Sequence, residues 1–276
     1  MHPGSGASGN HEPGSDGGSL AAACAVPGPI WIGCAGWSLS SAVQDAFPAD
    51  GTHLERYARV LTGVEINSSF YRPHRPATYA RWRDSVPDGF RFSVKVPKAI
   101  THEARLQPDD ATLQRFIDEV THLGPKLGCL LAQLPPGLRF DAAIAANFLA
   151  RLRQAAAVDI ACEPRHPSWF SDDAMALLAA HAVSYVDADP PVRGQRLPAD
   201  NGRLCYIRLH GSPVMYYSRY AEATLQTVAA EIRSAAAAGK RVWCVFDNTA
   251  EGAAVPNALW LLANLRQHMP PEQAQR

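Results

Sequence analysis

Tyr206-Ile207-Arg208-Leu209-His210-Gly211 is the stretch on which the fold turns. With the two-residue period of a strand, Ile207 and Leu209 share one face and Arg208 and His210 the other. An apolar face opposite two strong polar groups suits a barrel strand. The apolar side packs on helices and the polar side points into the mouth. Seven other β-rich runs have the same texture: Ile30–Trp37, Gly63–Tyr71, Phe90–Pro97, Leu127–Pro135, Val158–His166, Val183–Pro190 and Arg241–Thr249. With Arg203–Gly211 they make eight, and most begin apolar and turn polar toward their C-terminal end.

Helical patterns fill most gaps. Thr52 and Glu55 form a capping box, and Pro76 suits a first helical position. Asp141 caps a helix whose Ile144, Ala145, Phe148, Leu149 and Leu152 share one face. Ser171 opens the next, with Asp172 and Asp173 at its positive end. A run from Ala221 to Ala238 stops at Gly239, and Pro256 is expected to open the last helix. Pro191 to Gly202 reads as a loop. Eight strands alternating with helices predict one eight-stranded α/β barrel. An open doubly wound sheet is disfavoured because no G-x-G-x-x-G follows a strand.

The chain has 276 residues, 47% of them hydrophobic, enough for a full core. Residues 1–19 hold six Gly, four Ser and two Pro, a composition unable to offset its ordering entropy. The expected organisation is a flexible tail over 1–28, the barrel over 29–269 and a short tail over 270–276. Lys+Arg and Asp+Glu both number 26. Zero net charge argues against a general nucleic-acid coat or a polybasic membrane anchor. No apolar run approaches the roughly 18 residues of a membrane span. Before Arg56 there is neither Lys nor Arg, so a secretion signal lacks its basic region. Six cysteines form no C-x-x-C pair and read as reduced core residues. The expected compartment is the cytoplasm.

The candidate site collects at the strand ends. Glu65 and Asn67 share a face of the second strand, and Lys95 follows Ser93 on the third. Gln133 ends the fourth, Glu163 and Arg165 share a face of the fifth, and Asp187 and Asp189 end the sixth. Asp247, Asn248 and Thr249 end the eighth. A buried ion-pair layer explains any one of these residues. Six strands each adding an uncompensated charge for stability alone would be costly.

Several segments resemble the YecE-like family, the domain of unknown function 72. They are Ile32-Gly33-Cys34-Ala35-Gly36-Trp37-Ser38, Val64-Glu65-Ile66-Asn67-Ser68-Ser69-Phe70-Tyr71, and Phe92-Ser93-Val94-Lys95-Val96-Pro97-Lys98 with Ile100-Thr101-His102. Glu163-Pro164-Arg165-His166 with Ser168-Trp169, Tyr206 to Gly211, and Phe246-Asp247-Asn248-Thr249 follow in order. The resemblance covers about Ile30 to Leu265 and implies an eight-stranded α/β barrel. It implies no particular activity. One departure is Asp247, where the family often has Asn.

The residues themselves point to an enzyme acting on a small anionic or phosphorylated molecule by acid/base chemistry. Lys95, Arg165 and Arg208 supply positive charge. Glu65 or Glu163 is the candidate base, and His102 or His210 the acid. Asn67, Gln133, Asn248 and Thr249 would orient substrate, the last two beside a helix N-terminus suited to phosphate. Trp37, Phe70, Tyr71, Trp169 and Tyr217 would wall the pocket. Lys95 is expected to pair with Glu65 or Glu163, with Schiff-base chemistry as its alternative. A metal hydrolase or isomerase built on Glu65, Glu163, Asp187 and His210 ranks second, since three cations in the mouth repel a divalent ion. The expectation is therefore no metal and no cofactor, and a metal-independent hydrolase, lyase or isomerase. A non-catalytic binding protein is a third reading. A nucleic-acid enzyme using the basic and aromatic patch around Tyr71–Pro76 and Arg81–Arg83 is a fourth. Oligomeric state is left open.

Overall fold

The computed structural model describes Met1 and residues 26–195, 197–198 and 201–268. The expected N-terminal tail lies outside these apart from Met1 and residues 26–28, as does all of 270–276. Eight parallel strands run β1 (Ile30–Cys34), β2 (Gly63–Ile66), β3 (Arg91–Lys95), β4 (Leu127–Gln133), β5 (Asp159–Glu163), β6 (Val183–Asp189), β7 (Leu204–Leu209) and β8 (Arg241–Phe246). Each pairs with its sequence neighbour, and β8 returns to pair with β1. A parallel bridge from Ala35 to Glu65 joins β1 to β2 and closes the barrel.

Among the described residues seven α-helices pack outside: α1 (His53–Ala58), α2 (Pro76–Asp84), α3 (Asp110–Thr121), α4 (Ala142–Ala155), α5 (Asp172–Ala180), α6 (Glu222–Ala237) and α7 (Ala254–Gln267). Their starts follow the local chemistry. Thr52 and Glu55 exchange both capping-box bonds. Asp109, Asp141 and Ser171 accept from the third residue of α3, α4 and α5. Gly239, at φ +77°, follows the end of α6. The last helix begins at Ala254, two residues before Pro256, so the proline sits inside the first turn, where its missing N–H costs nothing. Among the described residues no helix lies between β6 and β7.

The outward strand faces and inner helix faces form the large core. A second cluster fills the barrel itself, with Cys129, Leu131, Ala161, Val186, Leu204, Tyr206, Trp243 and Val245. Trp31 and Trp243 sit with ring centroids 5.1 Å apart, and Tyr206 stacks on Trp243 at 6.0 Å. Gly63 makes room for them: a Cβ there would lie 2.9 Å from Trp31 Cβ and 3.0 Å from the Trp243 ring. This aromatic plug closes the barrel's N-terminal half, and the charged residues sit above it. Five described cysteines are unpaired, four of them buried. No helix among the described residues is long and apolar enough to cross a membrane.

Candidate functional site

Arg208 is the hub of a buried ionic layer. Strand alternation sends it inward from β7, where it is 0% exposed. Its Nε and Nη2 donate to both oxygens of Glu65 on β2, at 2.9 and 2.8 Å. Nη1 reaches Glu163 of β5 at 3.2 Å, and Nη2 lies 2.9 Å from Asp247, just beyond β8. One planar fork therefore joins three carboxylates from across the barrel. Tyr206, two residues earlier on the same face, sits beneath. Its hydroxyl lies 2.8 Å from Ser93 Oγ and donates to Glu65 at 3.3 Å. Burial works against the Arg208 charge, but Glu65, Asp247 and Glu163 outweigh it and raise its proton affinity well above the ordinary arginine value. Burial likewise opposes ionisation of Glu163 and Asp247. Arg208 and His210 overcome it and hold both carboxyls below their usual range.

His210 continues the same face of the chain beyond β7. Its Nε2 lies 3.0 Å from Glu163 Oε1 and its Nδ1 3.0 Å from Asp247 Oδ2. The ring thus bridges two carboxylates. Arg165 closes over it, its guanidinium touching Glu163 and His210, while Nη1 donates to Pro190 O at 3.0 Å. Gln133 donates to Glu163 Oε1 at 3.2 Å. Tyr216 lids the ring with centroids 5.8 Å apart. Its backbone is left-handed, φ +71°, and its N–H bonds to His210 O. A bulky residue in that conformation stores strain of the kind found at functional sites.

Lys95 stands apart from this network. It ends β3, faces inward and is 5% exposed. Among the described residues its ammonium has neither a hydrogen bond nor a salt bridge, so the expected pairing with Glu65 or Glu163 does not form. The carboxylate oxygens are committed to Arg208, His210 and Arg165. Nζ instead lies 4.2 Å from the centroid of Phe70. Burial, then the nearby Arg208, lowers its proton affinity below the ordinary lysine value, against the more distant pull of Glu65, Asp247 and Glu163. His102 packs on the same Phe70 ring at 4.9 Å and holds Thr101 Oγ1 at 2.9 Å. Burial, then Lys95, lowers its proton affinity as well. The β2–β3 register ends at Ile66 and Val94, and Asn67 follows β2 in helical backbone, φ −79° and ψ −21°. Asn67 Oδ1 is buried and has no hydrogen-bond partner. An unmatched donor and an unmatched acceptor thus end adjacent strands.

Other expected residues fall elsewhere. Asp187 faces outward, because Val186 and Ala188 take the inward positions, and it hydrogen-bonds Glu231 of α6. The four-ligand metal set is therefore not assembled, and no other group of three or more His, Cys, Asp or Glu suited to a metal occurs among the described residues. Asp189 accepts from the Tyr220 hydroxyl at 2.6 Å. Trp169 is 1% exposed, packs on Phe140 and donates to Leu138 O at 2.9 Å, so it is core and not pocket wall. Trp37 packs edge-on against Trp82 at 5.0 Å, and His74 does so at 5.0 Å too, so the aromatic patch is closed on itself. Tyr71 is 67% exposed. Tyr217 lines a separate surface cleft of about 1140 Å³ with Ser40, Arg219 and Glu251. Its neighbour Tyr216 is the tyrosine on His210. Asn248 donates to Ser218 O at 2.9 Å and Asn257 Oδ1 at 3.0 Å, which ties the loop after β7 to α7. Thr249 is exposed.

Sequence reasoning placed Asp247 at a strand end without giving it a role, and passed over Tyr206 and Tyr216. Asp247 shares the Arg208 fork, and Tyr206 lies on the Arg208–His210 face, a signal the period of two carries. Tyr216 has no such signal, because a loop presents it.

The family model described as "Protein of unknown function DUF72" matches residues 31–276. UPF0759 protein YecE of Escherichia coli K12 is 36% identical over 106 residues, 38% of this chain and 38% of that relative's length. UPF0759 protein YunF of Bacillus subtilis is 24% identical over 263 residues, 84% of this chain and 93% of that protein. A DUF72 family protein from Thermotoga maritima superposes with a TM-score of 0.73 at 24% identity, covering 86% of this chain and 99% of that one. One from Enterococcus faecalis gives 0.73 at 21%, covering 87% and 97%. The chain belongs to the DUF72 family.

Proposed function

From membership of that family as the premise, we propose that the chain is an enzyme that binds a small anionic molecule in the C-terminal barrel mouth. It acts there by acid/base chemistry without a metal. One observation carries the reading: Lys95 is a buried cation without a salt bridge or hydrogen bond of its own, in a mouth where the neighbouring charges are paired. A buried ammonium without a partner is costly, and an anionic or strongly accepting group of a ligand relieves that cost. His210, between Glu163 and Asp247, moves the proton. Arg165, the guanidinium nearest the rim, steadies a second anionic group.

Thermal-shift titration of the full chain with phosphate, sugar phosphates and small carboxylates tests this. An anion is expected to raise the melting temperature. The effect should shrink as salt screens charge within about 8–10 Å and vanish in Lys95→Met. Equal stabilisation of Lys95→Met, or stabilisation by neutral compounds alone, overturns the proposal.

A further inference from the structure

We infer that Lys95 is an imine-forming amine, and that the substrate class is a small carbonyl compound bearing an anionic group, such as an oxo acid or an aldehyde phosphate. The inference rests on the proposed anion-binding mouth and goes further by naming the bond that forms there.

The geometry favours a nucleophile over a fixed charge. An ammonium is kept protonated by carboxylates and hydrogen-bond acceptors, and Lys95 touches neither. The carboxylates that would serve it, Glu65, Glu163 and Asp247, are held by Arg208 and His210. Phe70 keeps one side of the amine dry. Yet Nζ is not among the side-chain nitrogens sealed from the surface, a set that includes Trp243 Nε1 and Arg241 Nε. Burial and a cationic neighbour are the two circumstances that turn a lysine into a nucleophile.

The step balances without an external oxidant or reductant. The ammonium first gives up one proton. The amine lone pair then attacks the carbonyl carbon, a C–N bond forms, and the carbonyl oxygen takes a proton. The resulting carbinolamine loses that oxygen as water with a second proton and leaves a protonated imine. Two hydrogens have passed from nitrogen to oxygen, and the single positive charge is conserved. His102, sharing the Phe70 ring with Lys95, is placed to carry the proton between nitrogen and oxygen. Arg165 holds the anionic group away from the reacting carbon.

The chain contains four lysines, Lys95, Lys98, Lys126 and Lys240, which makes the test direct. Lys98 is paired with Glu103 at 3.0 Å on the surface, and Lys126 donates to the carbonyls of Arg83 and Val86. The unsubstituted full chain is incubated separately with pyruvate, glyoxylate and glyceraldehyde 3-phosphate, each with cyanoborohydride. Peptide mapping then follows. With pyruvate the expected product is one adduct per chain on Lys95, heavier by pyruvic acid less one oxygen atom. The adduct should be absent from Lys95→Arg, which keeps the charge and cannot form an imine. Labelling confined to Lys98, Lys240 or the N-terminus, or no Lys95 adduct with any of the three probes, overturns the inference. If anions still stabilise the chain without an adduct, the imine fails and the anion site stands. If neither occurs, both fail together.

Discussion

Replace Arg208 by methionine, and separately Lys95 by methionine. Each change removes a buried cation from the same barrel mouth and keeps most of the side-chain volume. Arg208 makes four short contacts to carboxylates: two to Glu65 at 2.8 and 2.9 Å, one to Glu163 at 3.2 Å and one to Asp247 at 2.9 Å. Its loss leaves three buried carboxylates without their common partner. Breaking one partner of a buried pair costs about 3–5 kcal/mol, and a chain of this size loses about 2–4 °C of melting temperature per kcal/mol. Arg208→Met is therefore expected to melt about 6–20 °C lower, if it accumulates at all. Lys95 makes no such contact, and its removal ends the desolvation of an unpaired charge. It forfeits only the contact with Phe70, about 0.5–2 kcal/mol for a cation on an aromatic face. Lys95→Met is expected to melt within a few degrees of the parent, on the higher side if desolvation dominates. Calorimetry or denaturant melts at pH 7 decide the matter. Equal and large losses from both substitutions would refute the division of the mouth into a structural layer and an unpaired functional amine.

Three further outcomes follow from the same geometry. Glu163 and Asp247 hold folded proton affinities below their ordinary values of 4.5 and 3.8. The stability they add is therefore complete above those values and is lost as pH falls below them. The gap between the parent and Arg208→Met is expected to narrow in acid, which melts taken from pH 7 down to pH 3 would show. Glu231 runs the other way. Glu231 is exposed as a residue, but desolvation of its carboxyl where it meets Asp187, and then the Asp187 charge, raise it from 4.5 to about 7, so stability falls as pH rises through that window. Glu231→Gln should gain nothing at pH 4 and stabilise above pH 7, and a destabilised variant at pH 8 contradicts this. Anion binding in the mouth should survive exhaustive chelation, since the carboxylates there already face Arg208, Arg165 and His210. Loss of binding with chelator and its recovery with one divalent ion per chain would promote a metal-dependent reading.

The alternation in Ile207-Arg208-Leu209-His210 carried most of what was legible. It gave the barrel, the inward face and the convergence of Glu65, Lys95, Glu163, Arg165, Arg208 and His210, because a strand period is a local property. At β6 the rule about strand ends fails against that same period. Asp187 and Asp189 were assigned to the mouth by their place at a strand end, yet Val186 and Ala188 hold the inward positions. Parity was available there and was outweighed by a rule about ends. What stayed hidden depends on non-local packing. Trp169 became core through Leu138 and Phe140, residues some thirty positions earlier. The pairing of Lys95 was likewise illegible, since which carboxylate meets which cation is decided across the barrel by side-chain reach.

That pairing explains why one layer serves two ends. Three carboxylates and two cations, Arg208 and Lys95, could in principle share contacts evenly. They do not, because a guanidinium fork satisfies several oxygens at once whereas an ammonium is a point charge on a flexible stem. Arg208 takes the centre, fixes Glu65, Glu163 and Asp247 around itself, and leaves His210 between the outer two. Each carboxylate so committed is one that Lys95 lacks. Arg208 also stands close enough to disfavour a second positive charge. The stable layer and the unpartnered amine are thus one arrangement seen from two sides. A substitution that frees Asp247 or Glu65 from Arg208 should hand Lys95 a counter-ion, raise its proton affinity and weaken its nucleophilicity. Weakened imine trapping in a folded Arg208→Lys variant, with Lys95 itself untouched, is the consequence to look for.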